Sequence, residues 1–350
     1  MPSLVFAYPG DLDTPTGGYG YDRRIIAGLR TLGWDVDLVS LGEGFPFPTE
    51  ETLRQAEYRL SSVPEGSLVV VDGLALGVMA EAMERLHERI SLVALVHHPL
   101  CLENGLSKEK ADALFQSEKS VLAFARHIIV TSPATGTQVE DLFAIAPDRI
   151  TAVLPGTDKP APFERLQHDT IRLLSVGTLL PRKGYDLLVS ALASLKALDW
   201  RLDIVGGLEA DPACQQALLK QVRELDLLDR ITFHGAVPAQ DLGGFYRAAD
   251  IFVLASRYEG YGMAYTEALA YGLPVIGSGG GAVKETLPEG AAIYCGVEDV
   301  EALHRALETL ISDRGERDRL STEARRAAEL LPDWTDAARQ FANLLQDTCR

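Results

Sequence analysis

Apolar runs of strand length recur along the chain with helical stretches between them. The first set is Leu4–Tyr8, Val36–Ser40, Leu68–Asp72, Leu92–Val96, Ile128–Thr131 and Thr151–Leu154. A second set follows at Leu173–Gly177, Leu202–Val205, Ile231–Phe233, Ile251–Ala255, Pro274–Gly277 and Ala291–Tyr294. Many of these runs are apolar throughout instead of alternating, as expected for parallel strands covered by helices on both faces. The pattern predicts an α/β protein of two Rossmann-like, doubly wound parallel-sheet domains. Open α/β sheets bind ligands beyond the carboxyl ends of their strands, so two such units predict a central cleft faced by strand-end loops from both.

Between the two sets, the stretch Pro155-Gly156-Thr157-Asp158-Lys159-Pro160-Ala161-Pro162 has no periodicity. It predicts a domain at 1–155, a linker at 156–162 and a second domain at 163–333. Three helical stretches end the chain, at Val300–Ser312, Glu316–Leu331 and Trp334–Thr348. The break at Leu331-Pro332-Asp333-Trp334 allows the last helix, 334–350, to cross back onto the first domain. At 350 residues the chain is longer than one hydrophobic core usually serves.

The formal net charge of −17 is spread along the chain. That argues against a mainly electrostatic grip on nucleic acid or anionic lipid, and leaves peripheral contact at the cytoplasmic membrane face possible but not indicated by charge. Cys101, Cys214, Cys295 and Cys349 form neither a C-x-x-C pair nor a disulfide framework, which fits a reducing cytoplasm. Leu4–Tyr8 lacks a preceding basic region and reads as a strand, not a signal peptide. No run approaches the length of a transmembrane helix.

Four segments carry candidate chemistry. Gly17-Gly18-Tyr19-Gly20 precedes the helical stretch Tyr21–Leu32 and suits either a phosphate-cradling turn or an ordinary one. His97-His98-Pro99 ends the fourth strand; its imidazole could donate to a substrate hydroxyl or phosphate, or be structural. A zinc site with Cys101 is disfavoured, since adjacent strand residues point to opposite faces and no fourth ligand has suitable spacing. Arg182-Lys183-Gly184 opens the helical stretch Tyr185–Leu198. Two cations there oppose the helix dipole, which makes sense if an anion sits between them; solvated surface charge is the plain alternative. Glu259 is expected on a loop broken by Gly260 and Gly262, and Glu267 on the helix Met263–Tyr271. Singly they read as surface charge. Together, near a phosphate that would repel them, they suit acceptance of hydrogen bonds from neutral sugar hydroxyls.

Together these segments resemble the GT-B retaining glycosyltransferases of family 4, the glycosyl transferases group 1, over nearly the whole chain. The most specific part is E-x7-E, Glu259-Gly-Tyr-Gly-Met-Ala-Tyr-Thr-Glu267, followed by Ala268-Leu-Ala-Tyr-Gly272-Leu-Pro274-Val-Ile. Gly177-Thr-Leu-Leu-Pro-Arg182-Lys183-Gly184 is similar to the family's G…(R)KG segment. The chain departs from the family at His97-His98, Gly18-Tyr19 and Pro155-Gly156-Thr157-Asp158.

The resemblance implies a transferase of the hexosyltransferase type, moving a sugar from a nucleoside diphosphate sugar to an acceptor hydroxyl with retention at the anomeric carbon. On family frequency the donor is a UDP-sugar first and GDP-mannose second. The acceptor is a glycan, a lipid-linked saccharide or a small molecule. It implies that Arg182 and Lys183, with Gly177, hold the donor diphosphate, and that Gly17 and Gly18 present backbone N–H groups to it. By the same resemblance Glu267 grips the ribose, and Glu259 faces the transferred sugar with Gly260, Tyr261, Gly262 and Met263. His97 stands near the reacting centre, and neither metal nor cofactor is expected. The alternatives are a GT-B nucleotide-sugar epimerase and a catalytically silent nucleotide-sugar binding protein. A dehydrogenase is weaker, because no G-x-G-x-x-G follows either first strand.

Overall fold

The structure is a computed structural model and describes residues 1–165 and 168–348. It divides into two compact units, one of residues 1–156 with 332–350, the other of residues 157–331.

The first unit is built on β1 (Ser3–Tyr8), β2 (Asp35–Ser40), β3 (Leu68–Asp72), β4 (Ser91–Val96), β5 (His127–Val130) and β6 (Ile150–Ala152). They form one sheet in the order β2-β1-β3-β4-β5-β6, parallel throughout. Every residue of β3, Leu-Val-Val-Val-Asp, and of β4, Ser-Leu-Val-Ala-Leu-Val, is buried, which is why these central strands read as unbroken apolar runs. At the edge, β2 exposes Asp35 and Asp37 while Val36 is buried, so polar positions interrupt its apolar run. The last helix, Trp334–Thr348, lies against the Gly17–Thr31 helix in this unit. Their approach is close enough that a Cβ on Gly28 would stand 2.4 Å from Ala338 Cβ. Trp334 also meets the edge of Tyr21, and Arg24 lies over its ring.

The second unit contains β7 (Ile171–Val176), β8 (Trp200–Val205), β9 (Ile231–Phe233), β10 (Ile251–Leu254), β11 (Tyr258–Glu259), β12 (Val275–Gly277), β13 (Gly280–Gly281) and β14 (Ala292–Tyr294). Six form a parallel sheet in the order β9-β8-β7-β10-β12-β14, and the short β11 and β13 pair with each other. Apolar side chains cover both faces, with Leu188, Leu192 and Leu307 on one side and Tyr265, Leu269 and Ala324 in the other cluster.

The two sheets differ in winding. The chain reverses direction across the sheet between β1 and β3 in the first unit and between β7 and β10 in the second. At such switch points the connections leave to opposite faces and open a crevice at the strands' carboxyl ends, where ligands of this class of sheet bind. In the first unit the Gly17–Thr31 helix follows β1, Asp72 ends β3 and His97 follows β4. In the second, Gly177 to Lys183 follow β7 and Ser256 to Glu259 follow β10.

Several boundaries differ from the sequence pattern. The helix expected from Tyr21 starts at Gly17, because Thr16 caps it with its hydroxyl oxygen, 3.4 Å from the Tyr19 amide. The helix expected over Tyr185–Leu198 ends at Ala193. Glu259 lies on β11 rather than on a loop. Cys101, Cys214 and Cys295 are free thiols; Cys349 and the end of the expected last helix lie outside the described residues. Among the described residues, no helix is long and apolar enough to cross a membrane.

Candidate functional site

In the first unit, Gly17 and Gly18 are the first two residues of a 15-residue helix, not a turn before it. Their N–H groups have no partner within the helix, as at every helix N-terminus. His97 lies directly against them: a Cβ on Gly18 would sit 3.5 Å from His97 Cδ2. The imidazole is 5.5 Å from the Tyr21 ring, edge to face. Its Nε2 is 3.2 Å from Asp22 Oδ1 and 3.6 Å from Asp72 Oδ2. Neither aspartate is apparent as a site residue from sequence. Asp22 reads as one more charge on a polar helix, and Asp72 as the start of a loop, yet they are 0% and 2% exposed. Burial would lower the His97 imidazole, but the two carboxylates outweigh it and raise it to about 10. Among the described residues, this is the trio of His and acid groups whose ligand atoms come close enough together for a metal to be considered. His98 turns instead to Glu103, 3.0 Å away, and burial, with Glu118 beside it, pushes the Cys101 thiol up to about 12, so the three residues weighed for zinc have separate neighbours.

In the second unit, β7 ends beside Gly177, whose carbonyl accepts from the Tyr185 hydroxyl at 2.7 Å. The stem of Lys183 lies over Gly177, with Cε 3.2 Å from where a Cβ would stand. Pro181–Lys183 is a single 3₁₀ turn, and Gly184 then takes φ +60° to enter the helix Tyr185–Ala193. A Cβ on Gly184 would lie 1.9 Å from the Ala255 carbonyl oxygen, so the turn is pressed onto the end of β10. Arg257 pins the same turn. Its guanidinium donates to Pro181 O at 2.7 Å and bridges to Asp186.

That packing brings Arg182 and Lys183 to Glu259. Lys183 Nζ is 2.6 Å from Glu259 Oε1, and Arg182 Nη1 is 3.2 Å from Oε2 and 2.9 Å from Tyr258 O. Ser256 Oγ donates to Oε1 at 2.5 Å. Glu259 is 5% exposed. Burial alone would raise its carboxyl; Lys183 and Arg182 overcome that and lower it to about 2. The anion that the Arg-Lys pair called for is therefore supplied by the protein. With two cations facing one carboxylate, the cluster stays net positive.

From Glu259 the chain passes Gly260, Tyr261 and Gly262 into the helix Met263–Ala270. Tyr261 is buried, and its carbonyl accepts from Thr286 Oγ1 at 2.6 Å. Glu267, in the second turn, has one oxygen held by the Tyr246 hydroxyl at 2.6 Å, and Tyr246 stacks on Tyr271 with ring centroids 5.0 Å apart. Burial pushes the Glu267 carboxyl up, with the Asp158 charge adding and the Tyr246 hydroxyl opposing. The two glutamates of E-x7-E are thus driven in opposite directions. Tyr246 and Arg257 went unnoticed in the sequence because each acts on a residue far along the chain.

Two Rossmann-like units with all-parallel six-stranded sheets define the GT-B class of fold. Over 99% of both chains, the structure superimposes on sucrose-phosphate synthase from Thermosynechococcus elongatus with a TM-score of 0.85 at 23% identity. Anabaena HepE, solved in complex with UDP and glucose, gives 0.74 at 18% identity over 97% of this chain and 99% of that one. Residues 158–327, nearly the whole second unit, match the family model of the glycosyl transferases group 1, and this unit belongs to that family. Mannosylfructose-phosphate synthase of Agrobacterium fabrum is 33% identical over 181 residues, 50% of this chain and 40% of that protein. The chain therefore spans less than half the length of this curated relative.

Proposed function

We propose that this chain is a retaining glycosyltransferase that moves a sugar from a nucleoside diphosphate sugar to an acceptor hydroxyl. The observation that carries the reading is the cluster of Arg182, Lys183 and Glu259 at the β7/β10 switch point. A net positive, largely buried pair of cations beside a helix start suits a diphosphate, and it stabilises the charge that develops as the diphosphate leaves. Gly177, at the end of β7, makes room for the Lys183 stem and so helps set the ammonium that would meet the diphosphate. Glu267 has one oxygen committed to Tyr246 and the other to offer a ribose hydroxyl. Glu259 and the backbone of Gly260, Tyr261, Gly262 and Met263 face the transferred sugar. On the first unit, the Gly17 and Gly18 N–H groups and His97 form a second anion-accepting surface.

The leaving diphosphate takes the acceptor's proton on the same face of the sugar, giving retention without a protein base. Arg182 and Lys183 meet the developing charge, so no metal or cofactor is called for. A UDP-sugar is the first donor to test, supported by the UDP complex of HepE; GDP-mannose is the second, the Agrobacterium relative being a mannosyl-named enzyme. Two relatives are named for phosphorylated sugar products, which puts phosphorylated small sugars beside glycans and lipid-linked saccharides in the acceptor panel. The isolated cysteines support a reducing cytoplasm as its place of work.

The experiment is a thermal-shift screen of UDP, GDP and their sugars, followed by turnover of the stabilising donor with and without EDTA. Selective stabilisation by one nucleotide is expected. Product linkage with the donor's anomeric configuration and no EDTA effect are also expected. Inverted product would refute retention, and absence of any nucleotide effect would refute the donor site.

A further inference from the structure

The first unit buries an acid pair for which the transfer reading has no use. Asp22 comes from the helix after β1 and Asp72 from the end of β3, and both aim a carboxylate oxygen at the same nitrogen, Nε2 of His97. Neither oxygen of Asp22 finds a well-formed hydrogen bond, although the side chain is wholly buried. Asp72 spends its other oxygen on the Leu74 amide at 2.6 Å. Two buried carboxylates at one point repel each other unless positive charge lies between them. The imidazole is placed to supply it. The other groups around the ring carry no charge: Tyr21, edge-on to it, and Tyr19 on the same helix are both held neutral, burial and the aspartates pushing their phenols up. The neighbouring His98 is engaged with Glu103.

We propose that Asp22 and Asp72 are positioning residues for His97: their carboxylates face its Nε2 at ion-pair distance, keep the ring a cation and leave Nδ1–H as the donor it offers beside Gly18. Nδ1 has no hydrogen-bond partner among the described residues, so that proton is available. The shared charge also shows in the acids. Burial and Asp72 raise Asp22 against the pull of His97, whereas in Asp72 the effect of burial is outweighed by His97, Asp22 and the Leu74 amide, and its carboxyl falls. A divalent cation on the same groups fits less well, because a metal-bound imidazole ordinarily donates its other N–H to a second partner, which Nδ1 lacks. That His97 serves sugar transfer rests on the reading above; the charge on its ring does not.

Nitrogen-detected NMR of the histidine rings, with His97→Gln assigning the signals, follows the group directly. The expected wild-type His97 stays protonated well beyond the ordinary histidine value of 6.5. Asp22→Asn and Asp72→Asn each lower its midpoint by roughly two units or more. They shift the alkaline limb of kcat/KM down with it. An amide keeps the size of each side chain and, at 72, an oxygen for the Leu74 amide, so the variants test charge and not packing. A wild-type His97 titrating near 6.5, or a midpoint unmoved in both variants, overturns the proposal. Tight Zn²⁺ or Mn²⁺ binding by the wild type that both variants abolish also overturns it, making the trio a metal centre. Should the wild type bind no nucleoside diphosphate, the transfer reading fails and the titration still decides the ring's charge.

Discussion

The Lys183 ammonium and the Glu259 carboxylate are 2.6 Å apart at 14% and 7% side-chain exposure, with Arg182 closing on the other oxygen at 3.2 Å. Removing Lys183 leaves the buried Glu259 carboxylate with Arg182 as its one remaining cation in this cluster. Lys183→Ala is therefore expected to cost about 1–3 kcal/mol of stability in urea unfolding. The double variant Lys183→Ala with Glu259→Gln should recover part of that loss, Arg182 losing its carboxylate partner as well. A double variant no more stable than Lys183→Ala would refute the pairing. The comparison also separates lost phosphate binding from lost structure, which turnover of Lys183→Ala alone does not.

The same pair makes stability depend on acid. Glu259 is held at about 2 against an ordinary value of 4.5. A depressed carboxyl stabilises the fold fully above its unfolded value, and the contribution is lost as pH falls from there through the folded value. The urea midpoint of the wild type should thus drop from pH 4.5 towards 2. In Glu259→Gln the slope over that window should be shallower; identical slopes would show that Glu259 is not the titrating group.

Tyr246 holds one oxygen of Glu267 at 2.6 Å and so sets the direction of the other. Tyr246→Phe keeps the stack on Tyr271 and removes only the hydroxyl. It should weaken UDP or GDP binding by about 1–2 kcal/mol, roughly 5- to 30-fold, with a near-native melting temperature. Calorimetric titration checks it. Unchanged affinity would remove Glu267 from the nucleotide's partners.

Gly184 and Gly17 make a controlled contrast. At Gly184 the backbone has φ +60° and a Cβ would meet Ala255 O at 1.9 Å, so Gly184→Ala must shift the Pro181–Lys183 turn. A loss of about 1–3 kcal/mol is expected, together with weaker nucleotide binding. At Gly17 nothing lies within 4 Å of a Cβ. Gly17→Ala should leave the melting temperature level or raise it, alanine being the better helix residue. Equal damage from both would contradict the packing described.

The apolar runs alone determined two parallel α/β units, because a strand buried on both faces has no polar side to show, as in Leu68–Asp72 and Leu92–Val96. They placed Glu259 and Glu267 on either side of a helix start, since Gly260 and Gly262 interrupt the pattern there. Local periodicity reports on neighbours within a few turns and no further. It left open that the first sheet switches between β1 and β3 and the second between β7 and β10. Lys183 and Glu259 are 76 residues apart, and only the adjacency of β7 and β10 brings them together. Asp22 looks like a solvated charge among Tyr21, Arg23 and Arg24 until the ends of β3 and β4 bury it against His97. Tertiary structure decided which charges are paired and which way they titrate, because burial and Coulomb attraction depend on distances that strand order sets.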